Sequence, residues 1–139
     1  MPYQTCYDGP ILVVRFFGTV TESDLVGSAD EVMALEDRGR NTRPRLTDLR
    51  GISDSPVGYA EVANIADRVG YRPLASPIRS AFLVDRPVQL GFARMFQTLN
   101  RHPQVTIGIF EDEAAARHWL IDGAADAPDS VAPGERGEG

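Results

Sequence analysis

"SAFLVDRPVQLGFARMFQTLNRHPQVTIGIFEDEAAARHWL", residues 80–120, alternates strand and helix signals twice. "SAFLV" is a short apolar run of strand length, closed by Asp85. Pro87 then sits where a first helical residue is tolerated, because its missing N–H would be unpaired there anyway. Leu90, Ala93, Phe96 and Leu99 follow at helical spacing and make one buried face. "RHP" at 101–103 ends that helix, and "VTIGIF", 105–110, is a β-rich strand. Asp112 is placed to cap a last helix bearing Ala115, Ala116, Trp119 and Leu120, closing at Asp122–Gly123. Strands that alternate with helices imply parallel pairing through right-handed crossovers.

Toward the N-terminus the pattern continues. Residues 3–7 and 11–17 read as a hairpin around "DGP" at 8–10. "ILVVRFF" is almost continuously apolar, so it is expected to be a central strand covered on both faces. "TESD", 21–24, has the form of a capping box. It opens a helix with Leu25, Ala29, Val32, Met33 and Glu36 on one stripe, ending near Gly39. "RGRNTRPR" is a polar loop, and "LTDL", 46–49, is a short strand. Ser55–Pro56 is expected to open a second helix with Val62, Ile65, Ala66 and Val69 as its stripe and Gly70 as its end. The order is β-β-α-β-α-β-α-β-α: an α/β fold with a five-stranded, mostly parallel mixed sheet and four helices. Residues 1–123 form the expected domain. "AADAPDSVAPGERGEG", 124–139, has almost no large apolar residue and is expected to be a flexible tail.

The chain has 139 residues, which fits one domain able to bury a core without staples. A net charge of −6 and a pI near 4.8 argue against nucleic acid as a partner. All basic residues besides the two histidines are arginines, so neither a Schiff-base nor a phosphate-loop lysine is available. One cysteine, Cys6, excludes an intrachain disulfide. The start lacks the basic and apolar regions of a secretory signal, and no apolar run is long enough to span a bilayer, so a cytoplasmic location is expected.

Three segments resemble the SpoIIAA-like proteins, a STAS-like family also described as CRAL-TRIO-like, with the anti-sigma-factor-antagonist fold. They are "FFGTVTESDL", 16–25, "LTDLRG", 46–51, and residues 80–120. The resemblance covers roughly residues 3–121 and implies a mixed sheet wound with its helices as a βα superhelix. Antagonists of that family carry a phospho-accepting serine in Asp-Ser-Ser/Thr-Gly after the third strand. The nearest match here is Asp54-Ser55-Pro56-Val57-Gly58, which differs by Pro56 and by an extra residue before Gly58.

Several residues are candidates for a site. Ser55, and less directly Ser53, would be either a phosphorylation site or a helix cap. Asp48, Asp85 and Asp112 all follow strands, where ligands gather in open α/β sheets; capping or turn bonding explains them without chemistry. Arg15 interrupts an apolar strand and is expected to pair with a carboxylate such as Asp48, or else to hold an anionic ligand group. Arg38, Arg40, Arg43, Arg45 and Arg50 cluster around one loop, as an anion site or a solvated surface. His102 suits a helix C-terminus, His118 is expected to face solvent, and Cys6 is expected to pack. No nucleophile elbow, phosphate loop, dinucleotide fingerprint or zincin motif occurs, so no catalytic residue, metal or cofactor is assigned.

These observations imply a non-enzymatic regulatory module that binds a protein partner. The alternative is a binder of a small apolar or acyl ligand between helices and sheet, with Phe82, Phe92, Phe96 and Trp119 lining its pocket. A more distant alternative is an enzyme built on the strand-end carboxylates. Phe92, Met95, Phe96 and Trp119 are also more than one buried face needs. That surplus predicts an exposed apolar patch and a homodimer.

Overall fold

A computed structural model describes residues 2–39, 43–69, 74 and 76–122. Five strands and four helices alternate as expected: β1 (Tyr3–Asp8), β2 (Ile11–Thr19), α1 (Glu22–Gly39), β3 (Arg45–Asp54), α2 (Tyr59–Val69), β4 (Ile78–Leu83), α3 (Pro87–Leu99), β5 (Val105–Phe110) and α4 (Glu113–Asp122). The sheet order is β1-β2-β3-β4-β5, with β1–β2 antiparallel and the other pairs parallel. β2 is interior and paired on both sides, as its apolar run requires; the middle strand is β3. The tail 124–139, Gly70, Gly123 and Arg40 lie outside the described residues.

Sequential strand order has a direct consequence. Each parallel crossover turns the same way, so α1, α2 and α3 all land on one face of the sheet. There Leu25, Val32, Val62, Ile65, Phe92 and Ala93 pack onto Leu12, Val14, Phe16, Leu49 and Phe82. α4 follows the last strand and covers the opposite face. Its Ala116, Trp119 and Leu120 meet Ile11, Val13, Leu46, Ala81, Leu83 and Phe110. Among the described residues no helix is long and apolar enough to cross a membrane.

Local chemistry explains most boundaries. The hairpin turns through Gly9, whose φ of +60° places it in the left-handed region, next to Pro10 with its fixed negative φ. The capping box forms: Asp24 N–H donates to Thr21 Oγ1 (3.3 Å), and Thr21 N–H donates to Asp24 Oδ2 (2.8 Å). Asp112 caps α4, its Oδ2 accepting the Ala115 N–H at 3.1 Å.

Two expectations fail here. β3 does not stop at Leu49 but runs to Asp54, because the end of β2 pairs with it from Phe17–Gly51 to Thr19–Asp54. Gly51 fits that close approach: a Cβ there would stand 2.6 Å from the Phe16 carbonyl oxygen. In consequence α2 begins at Tyr59, not at Pro56, so Ser55 is not its cap. The Ser55 hydroxyl instead donates to the Val20 carbonyl at 3.0 Å. Gly58 is the residue before the helix, and its N–H donates to Glu61 Oε1 at 2.8 Å.

Candidate functional site

α1–α3 do not fill their side of the sheet. A cavity of about 160 Å³ remains between them and β2–β5. Its walls are apolar over most of their extent, with Val14, Phe16 and Leu49 from the sheet and Leu25, Ile65 and Phe92 from the helices. Phe96 stacks at tilted angles on Phe82 and Phe92, with centroids 5.7 and 5.4 Å apart. Phe82, Phe92 and Phe96 thus line the cavity as the ligand reading expects. Trp119 does not: it lies on the other face, against Phe110 at 5.3 Å and beneath the Arg79 guanidinium.

One end of the cavity is polar. Arg45 begins β3, Ser80 is its register partner in β4, and Asn100 and His102 lie between α3 and β5. All four therefore stand at the amino ends of the parallel strands, opposite the end where strand-end ligands were anticipated. Asn100 Nδ2 donates to the Val105 carbonyl (2.8 Å), and its Oδ1 accepts the His102 N–H (3.1 Å). His102 is buried, and its Nδ1 accepts the Gln104 N–H at 3.1 Å. Arg45 Nη2 donates to the buried Glu36 carboxylate at 2.7 Å. Arg45 Nε is buried and, among the described residues, has no hydrogen-bond acceptor. The sequence held a signal for this pair: Glu36 is an acid on an otherwise apolar helical stripe. Arg45 was hidden among neighbouring arginines.

The opposite face carries a second polar cluster. Arg15 pairs with Asp48, its register partner, as expected. Arg50 reaches both Asp48 (3.0 Å) and Glu113 (2.9 Å). Arg117 joins Glu113 (2.8 Å) to Asp8 (2.9 Å). Burial alone would raise the Asp48 carboxyl, but the Arg50 hydrogen bonds and the Arg50 and Arg15 charges overcome it and hold it below its ordinary value. Glu113 is held down by its hydrogen bond to Arg117 first, against some burial, and also by Arg50. The cluster clamps the start of α4 to the sheet.

The remaining candidates are dispersed. Asp85 is exposed and does not cap α3, whose N-cap is Arg86. The Asp85 N–H instead donates to Gln89 Oε1 (2.9 Å), while buried Gln89 donates to the Arg50 and Ile52 carbonyls. Asp48, Asp85 and Asp112 therefore have separate partners, and among the described residues no three His, Cys, Asp or Glu side chains could hold a metal. Arg43 lies over Tyr7, so Arg43, Arg45 and Arg50 do not converge on one anion site. Cys6 is exposed rather than packed, because α4 covers β3–β5 and leaves that side of β1 open. His118 is exposed and pairs with Asp122 at 3.0 Å. Ser53 is exposed at the end of β3, and Ser55 is half-buried. Phe92 and Trp119 are buried on opposite faces, so they cannot share an exposed patch, and the homodimer argument built on them falls.

Among solved structures, an uncharacterised protein of the DUF3478 family with a SpoIIAA-like fold, from Shewanella loihica PV-4, matches with a TM-score of 0.54. The match has 14% identity and covers 85% of this chain and 91% of that one. The chain has the SpoIIAA-like fold. Two SpoIIAA structures also match, each with a TM-score of 0.48 over 83% of this chain. One is the anti-sigma factor antagonist in its unphosphorylated form (16% identity, 96% of that chain). The other is the Bacillus cell fate determinant in its phosphorylated form (17% identity, 97% of that chain). No protein-family model and no curated protein matches the sequence.

Proposed function

We propose that this chain is a non-enzymatic regulatory module that binds a small, mainly apolar ligand between the sheet and α1–α3. The cavity carries the reading. At about 160 Å³ it is comparable with apolar cavities of about 150 Å³ that hold a benzene-sized guest. Its phenylalanine walls offer dispersion contacts, and Arg45, Ser80, Asn100 and His102 make one end its most polar, as in sites that orient a ligand. The carboxylates of Asp48, which lies inside β3, and of Asp112 favour a structural role over catalysis, since arginines hold the first and the second accepts a backbone N–H.

Native mass spectrometry of the purified protein tests this directly. The expected result is a mass increment lost on denaturation, or, for an empty protein, shifts of the Phe82, Phe92 and Val14 resonances with small apolar compounds. A protein that is empty and gives no such shifts would overturn the reading.

A second reading, switching with a protein partner, draws on the other end of the sheet. Ser53 is exposed there, and Tyr59 (62% exposed) and Val88 (52%) begin the neighbouring helices α2 and α3. Because the Ser55 hydroxyl is engaged with Val20, Ser53 is the more accessible acceptor for a phosphate. Mapping of phosphopeptides from the native host would locate such a modification, and its absence from Ser53 would remove this reading.

A further inference from the structure

We infer that the cavity selects a ligand whose polar group is a neutral hydrogen-bond acceptor, a carbonyl above all, seated at Arg45 with its apolar body toward Phe16 and Phe92. The inference rests on the ligand-binding reading and adds the chemistry of the ligand's head and its direction.

Three observations carry it. First, the cavity has two unlike ends. Arg45, Ser80, Asn100 and His102 stand at the amino ends of the strands, while the rest is mainly apolar, with Phe16, Leu25, Leu49 and Phe92 beside the small polar Ser28 and Thr47. A wholly apolar guest would offer Arg45 Nε no acceptor, and a wholly polar one would lose its water against phenyl rings. Second, Arg45 is short of acceptors. Its Nη2 serves Glu36, yet its buried Nε has none among the described residues. A guanidinium has five N–H donors in a rigid fork, so a ligand oxygen at this end has a donor surplus to meet, with a small turn of the fork bringing Nε to it. Third, Arg45 already faces a carboxylate. The Glu36 side chain is only 3% exposed and lies 2.7 Å from Nη2. A carboxylate ligand would add a second negative charge beside Glu36 in apolar surroundings, whereas a ketone, aldehyde, ester or amide adds an acceptor and no charge.

The volume admits one ring or a short chain, so ethylbenzene, acetophenone and benzoate make a test series of nearly constant size. Each is titrated into the full chain and followed by the methyl resonances of Val14, Leu49 and Ile107. Acetophenone is expected to bind about tenfold more tightly than ethylbenzene, the ratio of one hydrogen bond to a charged donor. Benzoate is expected to bind no better than ethylbenzene. In the double variant Arg45→Met with Glu36→Gln, which removes the charge pair as a unit, the acetophenone preference should vanish while ethylbenzene still binds. Equal binding of acetophenone and ethylbenzene by the unaltered chain would overturn the inference and leave the ligand reading standing. Tightest binding of benzoate would also overturn it, since the head group would then be an anion. No shift with any of the three would overturn both readings. The unaltered chain decides these outcomes even if the double variant does not fold.

Discussion

Against α4 the sheet presents Ile11, Val13, Leu46, Ala81 and Leu83, and the helix answers with Ala116, Trp119 and Leu120. Against α1–α3 it presents Val14, Phe16, Leu49 and Phe82, and about 160 Å³ stays unfilled. One helix packs onto the part of its face that it covers, and three helices leave theirs open at the centre. The difference lies in how each face is held. α4 is drawn down at its start by Asp48, Arg50, Glu113 and Arg117, and alanines let its backbone approach. On the other face Phe92 and Phe96 of α3 line the cavity, and the Arg45–Glu36 pair, its carboxylate buried, stands at the amino ends of the strands. The closed face reads as scaffold and the open one as site.

Five substitutions test that contrast. The largest effect is expected from Trp119→Ala, which empties the closed face and should cost about 3–5 kcal/mol in denaturant melts. A loss below 1 kcal/mol would mean that α4 is not the anchor. Next comes a matched pair. Ala116→Leu overpacks a residue with no exposed surface and should cost about 1–3 kcal/mol. Ala29→Leu, which points a larger side chain toward the cavity, should be neutral or gain up to about 1 kcal/mol and should block ligand binding. Equal losses from the two would erase the distinction between the faces.

A third test uses pH. Asp48 and Glu113 have folded values below their ordinary ones, so their contribution is present above about pH 4–5, the range of the unfolded carboxyls, and is lost as pH falls through the folded values. Asp48→Asn should cost about 1–3 kcal/mol at pH 7 and should flatten the acid decline of the melting temperature. An unchanged acid profile would remove the clamp from the account. The smallest effect belongs to Ser55→Ala. It loses one hydroxyl–carbonyl bond to Val20, about 0.5–1.5 kcal/mol, with no loss of helical signal by circular dichroism. A loss of helical signal would restore Ser55 as a cap.

Much of this was legible before the structure. Alternating strand and helix signals reported the element order, and the capping box and Asp112 reported where α1 and α4 begin. Arg15 and Asp48 could be paired because an arginine in an apolar strand demands a nearby carboxylate. What escaped depends on neighbours in space. The second half of β3 has Gly51, Ser53 and Asp54, poor strand formers individually, and becomes strand because the end of β2 lies beside it. Ser55–Pro56 has the local form of a helix start, but Val20 claims the hydroxyl. Helical spacing marked the Trp119 face as buried but assigned Phe92, which is buried, to an exposed surplus, and spacing does not say which face of a sheet a helix covers. The buried Gln89, which ties α3 to the end of β3, looks in sequence like any surface glutamine. A cavity is the hardest to see, since it reflects what three helices fail to fill.

The bond between Arg117 and Asp8 spans 109 positions of the chain. During synthesis the hairpin bearing Asp8 emerges first and α4 emerges after every strand. Until then the row Ile11, Val13, Leu46, Ala81 and Leu83 faces water, even if α1–α3 have already docked on the other side. A nascent or truncated chain that ends before Glu113 therefore displays a ready-made sticky surface, and its fate in the cell is set by how fast the last ten-odd residues of the fold arrive to cover it.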